Sequence, residues 1–334
     1  GIGGMSLYRA EISGPLKEDK MRPRIAETAK TLWLIYASLT LLCAFAYWLA
    51  GMSPFDAITH SFSTVSIGGF STHDSSMAYF NSPAVNLITV AFLLISACNY
   101  ALHFNAFSNL GKRNIFVSYF RDPEFRFFMF IQIALVTICF FMLLTNHHFD
   151  GTFKNLEQAA FQSVSISTTA GYTTSSFDQW PLFLPILLLF ASFIGGCAGS
   201  TGGGLKVIRI LVLSLQGKRE LKRLIHPNLV YPIKLGKHVL DERVIQSIWA
   251  FFSAYLLVFV VCLLGVISCG VETFDAFNAV IACLNNLGPG LGSVSSNFVS
   301  IPDSAKWILT LTMVCGRLEI FSLLVLFTPA FWKS

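Results

Sequence analysis

Long apolar runs alternate with short amphipathic stretches along the chain. The runs lie at about 31–50, 84–107, 125–145, 181–196, 244–268 and 305–330. Each is close to the roughly 20 residues that cross a bilayer as a helix. The pattern therefore predicts three pairs of membrane helices, with a stretch too short to span the membrane between the two members of each pair.

The three short stretches share one plan, because an acidic or amide residue stands 13 positions before a glycine in each. They are Asp56–Gly69, Gln158–Gly171 and Asp275–Gly288. Each becomes rich in Ser, Thr or Asn before the glycine, and polar backbone of this kind cannot face lipid without leaving its groups unpaired. It can line a water-filled path, where carbonyl groups replace the water around an ion. We predict three re-entrant half-helices whose C-terminal ends, with their negative partial charge, point toward a cation.

Composition and charge support this assignment. Of the 334 residues 54% are hydrophobic and 12% are charged, with a mean hydropathy of +0.63, whereas soluble domains carry roughly 25% charged residues. Lys and Arg concentrate at 9–30, 112–126 and 206–243, which by the positive-inside rule are cytoplasmic. We predict an all-α polytopic membrane protein and not a nucleic-acid-binding protein.

The spacing predicts repeated units of helix, pore helix and helix. Pro83, Pro181 and Pro302 follow the glycines and suit the first turn of the returning helices. Residues 1–11 look like the tail of an earlier repeat, so we expect a further pore stretch upstream. The expected units are the tail of a first repeat with a cytoplasmic loop at 1–30, a second repeat at 31–124, a third with a broken inner helix and a basic cytoplasmic loop at 125–243, and a fourth at 244–334.

The residues that end the half-helices are the candidate cation ligands, through their backbone carbonyls. The alternative is three ordinary helical hairpins with a glycine after the helix, but the matching register of all three favours a pore. The candidates are Ser66, Ile67, Gly68, Gly69, Thr168, Thr169, Ala170, Gly171, Asn285, Asn286, Leu287 and Gly288.

The returning helices carry disruptions near the middle of the membrane. Cys98–Tyr100 interrupts the first, and the second contains a glycine run in which each glycine costs about 1 kcal/mol of helix stability. Arg317 lies 15 residues after Pro302, or roughly 22 Å along a helix, where a buried arginine is costly and therefore a candidate functional residue. The alternative for Arg317 is a structural ion pair with Glu319 or another buried acid. The alternative for the glycine run is a break that allows close helix packing. The candidate gating residues are Gly195, Gly196, Gly199, Ser200, Thr201, Gly202, Gly203, Gly204 and Arg317.

These motifs resemble the Trk/Ktr/HKT superfamily of potassium transporters, and in particular its TrkH-type bacterial potassium-uptake subunits. The resemblance covers nearly the whole chain and rests on Ser-Ile-Gly-Gly-Phe-Ser-Thr at 66–72, Ser-Thr-Thr-Ala-Gly-Tyr-Thr-Thr at 167–174, Asn-Asn-Leu-Gly-Pro-Gly at 285–290 and Gly-Arg-Leu-Glu-Ile-Phe at 316–321. It implies four repeats around a pseudo-fourfold pore, of which this chain holds three complete units, with K⁺ as the transported ion. It also implies a gating loop at 195–204, a pore arginine at Arg317, a homodimer in the bacterial inner membrane and a separate cytoplasmic nucleotide-binding regulatory ring of the TrkA type.

Two other functions are alternatives to potassium uptake. An ion-coupled transporter of a small solute would also use broken helices near the midplane, although the three repeats here run in the same direction. A membrane enzyme would need catalytic groups, and His60, His103, His147 and His148 show no catalytic or metal-binding spacing. We expect no enzyme activity and no organic cofactor. The basic segment 205–243 is expected to be a solvated loop, with partner docking or phospholipid contact as additions.

Overall fold

The computed structural model describes residues 25–108, 115–181, 183–229, 231–236, 238–318, 320–321 and 323, with side chains from 29 onward and without those of 115–116. The predictions for residues 1–11 and for Glu319, and Lys237 of the basic segment, lie outside this part of the chain. The helices are α1 (Ile25–Leu49), α2 (Pro54–Val65), α3 (Pro83–Ser96), α4 (Tyr100–Ser108), α5 (Ile115–Arg121), α6 (Pro123–Thr145), α7 (Thr152–Ser167), α8 (Leu184–Ala191), α9 (Val207–Ile225), α10 (Glu242–Ser268), α11 (Thr273–Leu284) and α12 (Asp303–Arg317). Strands β1 (Lys234–Leu235) and β2 (His238–Val239) pair antiparallel.

The predicted order of long helix, half-helix and returning helix occurs three times. Helices α1, α6 and α10 contain stretches long and apolar enough to cross a membrane, at 29–49, 123–145 and 242–268. Each precedes a shorter helix, which is α2, α7 or α11. This arrangement confirms the prediction of a mostly helical, multi-pass membrane protein.

Two of the returning segments form shorter helices than their apolar runs predicted. The run at 84–107 is divided into α3 and α4, which meet at 90°, and the run at 181–196 is helical only over Leu184–Ala191. Pro181 does not start a helix, because α8 begins at Leu184 with Pro185 in its first turn. Apolar composition predicted these runs as continuous, but polar and glycine-rich residues inside them end the helices early.

Local sequence explains where several helices begin. The Ser53 hydroxyl accepts a hydrogen bond from the N–H of Asp56 at 3.1 Å, and Pro54 occupies the first turn of α2. Asp122 caps α6 in the same way, through the N–H of Phe125 at 2.7 Å. Such caps satisfy N–H groups that have no partner within the helix, and they fix the starting points of a half-helix and a spanning helix.

The basic segment is not simply the loop that we expected. It contains α9 and the β1–β2 hairpin, and the nearly buried Arg219 donates to both carboxylate oxygens of Glu242 at 2.9 and 2.7 Å. This two-bond pair has the geometry in which Arg binds carboxylate most specifically. It joins α9 to the start of α10.

Candidate ion pathway

The three half-helices end with the same backbone turn. The first residue after each helix keeps a right-handed helical conformation, and the second has a positive φ of 54° at Ile67, 69° at Thr169 and 55° at Asn286. The N–H of this second residue bonds three residues back, and the following N–H bonds five residues back, as in a Schellman helix ending. Positive φ is rare and strained for the β-branched Ile67 and Thr169. Because the strained turn recurs at equivalent positions, it is a property of the repeat.

This turn commits the N–H groups to the helix and leaves the carbonyls of the predicted ligands available. Within the described ranges, no hydrogen bond reaches a carbonyl of residues 66–69, 168–171 or 285–288. A cavity of about 1040 Å³ is bordered by residues of all three stretches. Of the predicted ligands, only Thr168, Thr169 and Asn285 do not border the cavity. The structure therefore brings the three stretches together around one space.

The glycines pack each stretch against the next. A Cβ added to Gly69 would lie 1.8 Å from the carbonyl oxygen of Ala170, and one added to Gly171 would lie 1.9 Å from that of Leu287. At Gly288 no described atom lies within 4 Å of the added Cβ. The stretches therefore follow one another in chain order around the cavity, and no described residue packs against the glycine of the third.

The residue 13 positions before each glycine holds the chain that follows the glycine. The Thr72 hydroxyl donates to Asp56 Oδ1 at 2.7 Å, and the Thr174 hydroxyl donates to Gln158 Oε1 at 2.7 Å. Both hydroxyls stand three residues after the glycine of their repeat. We call these side-chain bonds the struts. The third strut joins Asp275 Oδ1 to the N–H of Ser293 at 3.1 Å, and the Ser293 hydroxyl also donates to Asp275.

Asp56, the acceptor of the first strut, is held in its charged form. Burial raises the pKa of this carboxyl. Hydrogen bonds from Thr72 and Ser53, together with the nearby His73, lower the pKa by more than burial raises it, so that it lies below the ordinary value of 3.8. The His73 ring nitrogen Nε2 is 3.3 Å from Asp56 Oδ1. The strut of the first repeat is therefore a hydrogen bond to a charged acceptor, which is stronger than one between neutral groups.

The preceding spanning helix also supports the inner end of each half-helix. Tyr47 on α1 is hydrogen-bonded to Thr64 of α2 at 2.8 Å, and the Ser167 hydroxyl of α7 donates to Gln132 on α6 at 2.9 Å. In the third repeat Tyr255 on α10 donates to Asn285. Sequence reasoning missed these partners, because single polar residues within apolar helices give no indication of which half-helix they face.

The glycine run at 195–204 forms a loop between α8 and α9 that touches all three stretches. The Thr201 hydroxyl donates to the carbonyl of Val65 at 2.9 Å, and the N–H of Gly203 donates to the Thr169 hydroxyl at 2.7 Å. A Cβ added to Gly203 would lie 2.4 Å from the carbonyl oxygen of Asn285. The loop therefore lies across the inner ends of the half-helices, on the side away from the struts.

The break in the first returning helix receives this loop. The N–H of Cys197 donates to the carbonyl of Ala97 at 2.8 Å, and the N–H of Tyr100 donates to that of Gly199 at 3.3 Å. The buried Glu124 at the start of α6 accepts from the N–H of Ala198 at 2.6 Å. The break at Cys98–Tyr100 and the glycine run are thus in contact with each other. Glu124 holds the glycine run from a third side, a role that the sequence did not indicate.

Arg317 ends α12 and contacts the same loop. Its guanidinium donates from Nη1 to the carbonyl of Thr201 at 3.3 Å, and the residue borders the cavity. We expected a buried arginine; the structure shows an exposed one, because the residue lies at the border of the cavity. Glu319, the partner considered for a structural ion pair, lies outside the described part of the chain.

Comparison with known proteins gives a single consistent result. The family model described as TrkH, cation transport protein, matches residues 1–334. The chain is 64% identical to the Trk system potassium uptake protein TrkH of Vibrio parahaemolyticus and 61% identical to that of Escherichia coli K12, over all of this chain and 68% of each relative. The crystal structure of the potassium transporter TrkH from Vibrio parahaemolyticus superposes with a TM-score of 0.90 at 61% identity, covering 99% of this chain and 71% of that one.

Proposed function

The chain belongs to the TrkH family of cation transport proteins, and from this premise we propose that it passes potassium between backbone carbonyls at the ends of its three half-helices. Potassium transport itself follows from identities of 61–64% over the full chain to potassium uptake proteins. The chain is accordingly a multi-pass membrane transporter and not an enzyme. The observation that carries the proposed filter is the threefold turn that leaves the carbonyls unbonded around one cavity.

The chemistry of the proposed filter is the replacement of a water shell. Carbonyl oxygens from Ser66–Gly69, Thr168–Gly171 and Asn285–Gly288 take the place of the water molecules around the ion. The half-helices add the negative partial charge of their C-terminal ends. Strained turns and struts keep the carbonyl oxygens in position before the ion arrives, so that ion binding loses less conformational entropy.

The proposed ring has four members. Gly69 packs on the second stretch and Gly171 on the third, whereas no described atom lies within 4 Å of a Cβ added to Gly288. A fourth stretch of the same kind would fit between Gly288 and the first stretch. This chain spans 68% of the length of the relatives that it matches.

The loop at 195–204 and Arg317 are the proposed controls on flux. The loop lies against the inner ends of the three stretches, and the arginine bonds to it through Thr201. A cationic side chain at this point repels a passing cation and also holds the loop across the path. Movement of the loop toward the break at Cys98–Tyr100, with which it already shares hydrogen bonds, would open the pathway.

The proposed partners are a second copy of the chain and a cytoplasmic nucleotide-binding ring of the TrkA type. A surface suited to the ring is the basic helix α9, on which Lys218 and Lys222 are exposed. The chain contains no dinucleotide-binding glycine motif, so nucleotide would act through the partner. Co-purification of the ring with the full-length protein, and its loss on reversal of the charges on α9, would test this surface.

Substitution of one glycine tests the filter. We expect Gly171→Ser to lower the preference for rubidium over sodium in liposomes containing the full-length protein, because a Cβ there would lie 1.9 Å from the carbonyl oxygen of Leu287. Gly217→Ser is the matched control, since an added Cβ at Gly217 meets no atom within 4 Å. Unchanged ion preference in Gly171→Ser would refute the filter assignment, and flux that depends on an organic solute would favour a coupled transporter.

A further inference from the structure

Three consecutive carbonyls of the loop at 195–204 accept hydrogen bonds from two basic side chains. Lys206 donates from Nζ to the carbonyl of Ser200 at 3.4 Å and to that of Gly202, and Arg317 donates to the carbonyl of Thr201 between them. The ammonium group is a compact point charge. It thus occupies a small cluster of carbonyl oxygens, which is the kind of ligand set that binds a monovalent cation in a pore.

This cluster lies next to the inner end of the proposed filter. A Cβ added to Gly202 would lie 3.1 Å from the carbonyl oxygen of Thr168, and the adjacent Gly203 bonds to Thr169. On the proposed pathway, an ion that leaves the filter on this side meets next the loop carbonyls that Lys206 binds.

Lys206 holds this position against three local preferences. Its backbone has φ 75° and ψ 134°, a conformation that side chains with a Cβ rarely adopt. It is the residue that precedes the first turn of α9, where Ser, Thr, Asp and Asn are favoured. A positive charge there also opposes the positive partial charge of the helix N-terminus. Departures from local rules of this kind are expected at functional positions.

We propose that the carbonyls of Ser200 and Gly202 form a monovalent-cation site below the filter, and that the Lys206 ammonium occupies it as a tethered competitor of the permeating ion. The proposal rests on the potassium pathway above and adds a third control to the loop and Arg317. While the ammonium is bound, the loop is held in place and the site is closed to potassium. Opening requires the ammonium to leave the two carbonyls, either alone or together with the loop.

The first test is rubidium flux through the full-length protein in liposomes. Lys206→Met keeps the length of the side chain and removes its charge, and we expect flux to rise by about tenfold, the factor that loss of one hydrogen bond to a charged group implies. Lys206→Arg should stay near the parent protein. Lys30→Met is the matched control, because Lys30 is an exposed lysine of α1. Equal flux in Lys206→Met and the parent, or an equal rise in Lys30→Met, would overturn the proposal.

Lys206→Gly separates charge from backbone strain. Glycine adopts the observed φ without strain and also lacks the ammonium, so we expect the same rise as in Lys206→Met. If only Lys206→Gly raised flux, backbone strain and not the ammonium would be the control, and the proposal would fail. Because the glycine variant suits the backbone, it carries the flux test if Lys206→Met does not fold.

The second test locates the site directly with thallium(I) as the probe. Crystals of full-length Lys206→Gly soaked in thallium should show an anomalous peak between the carbonyl oxygens of Ser200 and Gly202, and crystals of the parent should lack it. No peak in the variant would disprove the cation site. Absence of rubidium flux in the parent would count against the potassium pathway itself, so the two failures are distinguishable.

Discussion

At the scale of single residues, the proposed pathway depends on which of two adjacent glycines packs against the neighbouring stretch. Gly69 has φ 68°, and its added Cβ would lie 1.8 Å from a backbone oxygen. The Cβ of Gly68 would instead meet its own neighbours, the Ser66 hydroxyl at 3.1 Å and the Phe70 ring at 3.3 Å. Backbone cannot move aside as a side chain can, so only Gly69 has no tolerable substitute.

Alanine at the two glycines should therefore give different results. We expect Gly69→Ala to lower the free energy of unfolding by about 3 kcal/mol, the upper end of the common range for single substitutions. We also expect this variant to lose rubidium uptake. Gly68→Ala should retain most of both, because the Ser66 and Phe70 side chains can shift. Thermal unfolding in detergent and rubidium uptake by cells measure the two effects. Equal losses in both variants would contradict the packing of Gly69 on the second stretch.

At the scale of elements, the half-helix and the chain that returns from it form one unit closed by a strut. In the second repeat the strut is the 2.7 Å bond from the Thr174 hydroxyl to Gln158. The glycine and its carbonyls lie between these two residues in the chain. The strut therefore limits how far the carbonyls can move from the position set by α7.

A double-mutant cycle tests this unit. Gln158→Ala and Thr174→Val should each lower the preference for rubidium over sodium, and the double variant should be little worse than either, with a coupling of about 1 kcal/mol. Thr173→Val is the matched control, since the Thr173 hydroxyl has no hydrogen bond to a described residue. Additive effects of the two substitutions would show that the strut does not position the carbonyls.

Much of this arrangement could be predicted from the sequence, because it is repeated. The 13-residue offset chose Gly69 over Gly68, and the breaks at Cys98–Tyr100 and 195–204 were visible as polar or glycine-rich residues in apolar runs. The positive φ of Ile67 could not be predicted, since β-branched residues disfavour it. The sequence could not distinguish Lys206 from the other basic residues of 205–243, because its partners are loop carbonyls that only the tertiary fold brings near.

At the scale of the whole molecule, three repeats place their half-helices around one cavity, and a loop from one repeat lies beneath all three. The stretches follow in chain order through Gly69 and Gly171, and the loop contacts Val65, Thr169 and Asn285. In the proposed function, selection and control are therefore stacked along one path. The proposed filter belongs to all three repeats, while the proposed closing parts come from the loop, α9 and α12.

The most direct test is to locate the ion in the full-length protein. Diffraction from crystals soaked in thallium(I), which replaces potassium, should give anomalous peaks within direct coordination distance of the carbonyls of Gly69, Gly171 and Gly288, on the axis that they share. Peaks at these carbonyls, weakened by added potassium and unaffected by added sodium, are the result that we predict. Thallium bound elsewhere, with none between the three glycine turns, would contradict the account.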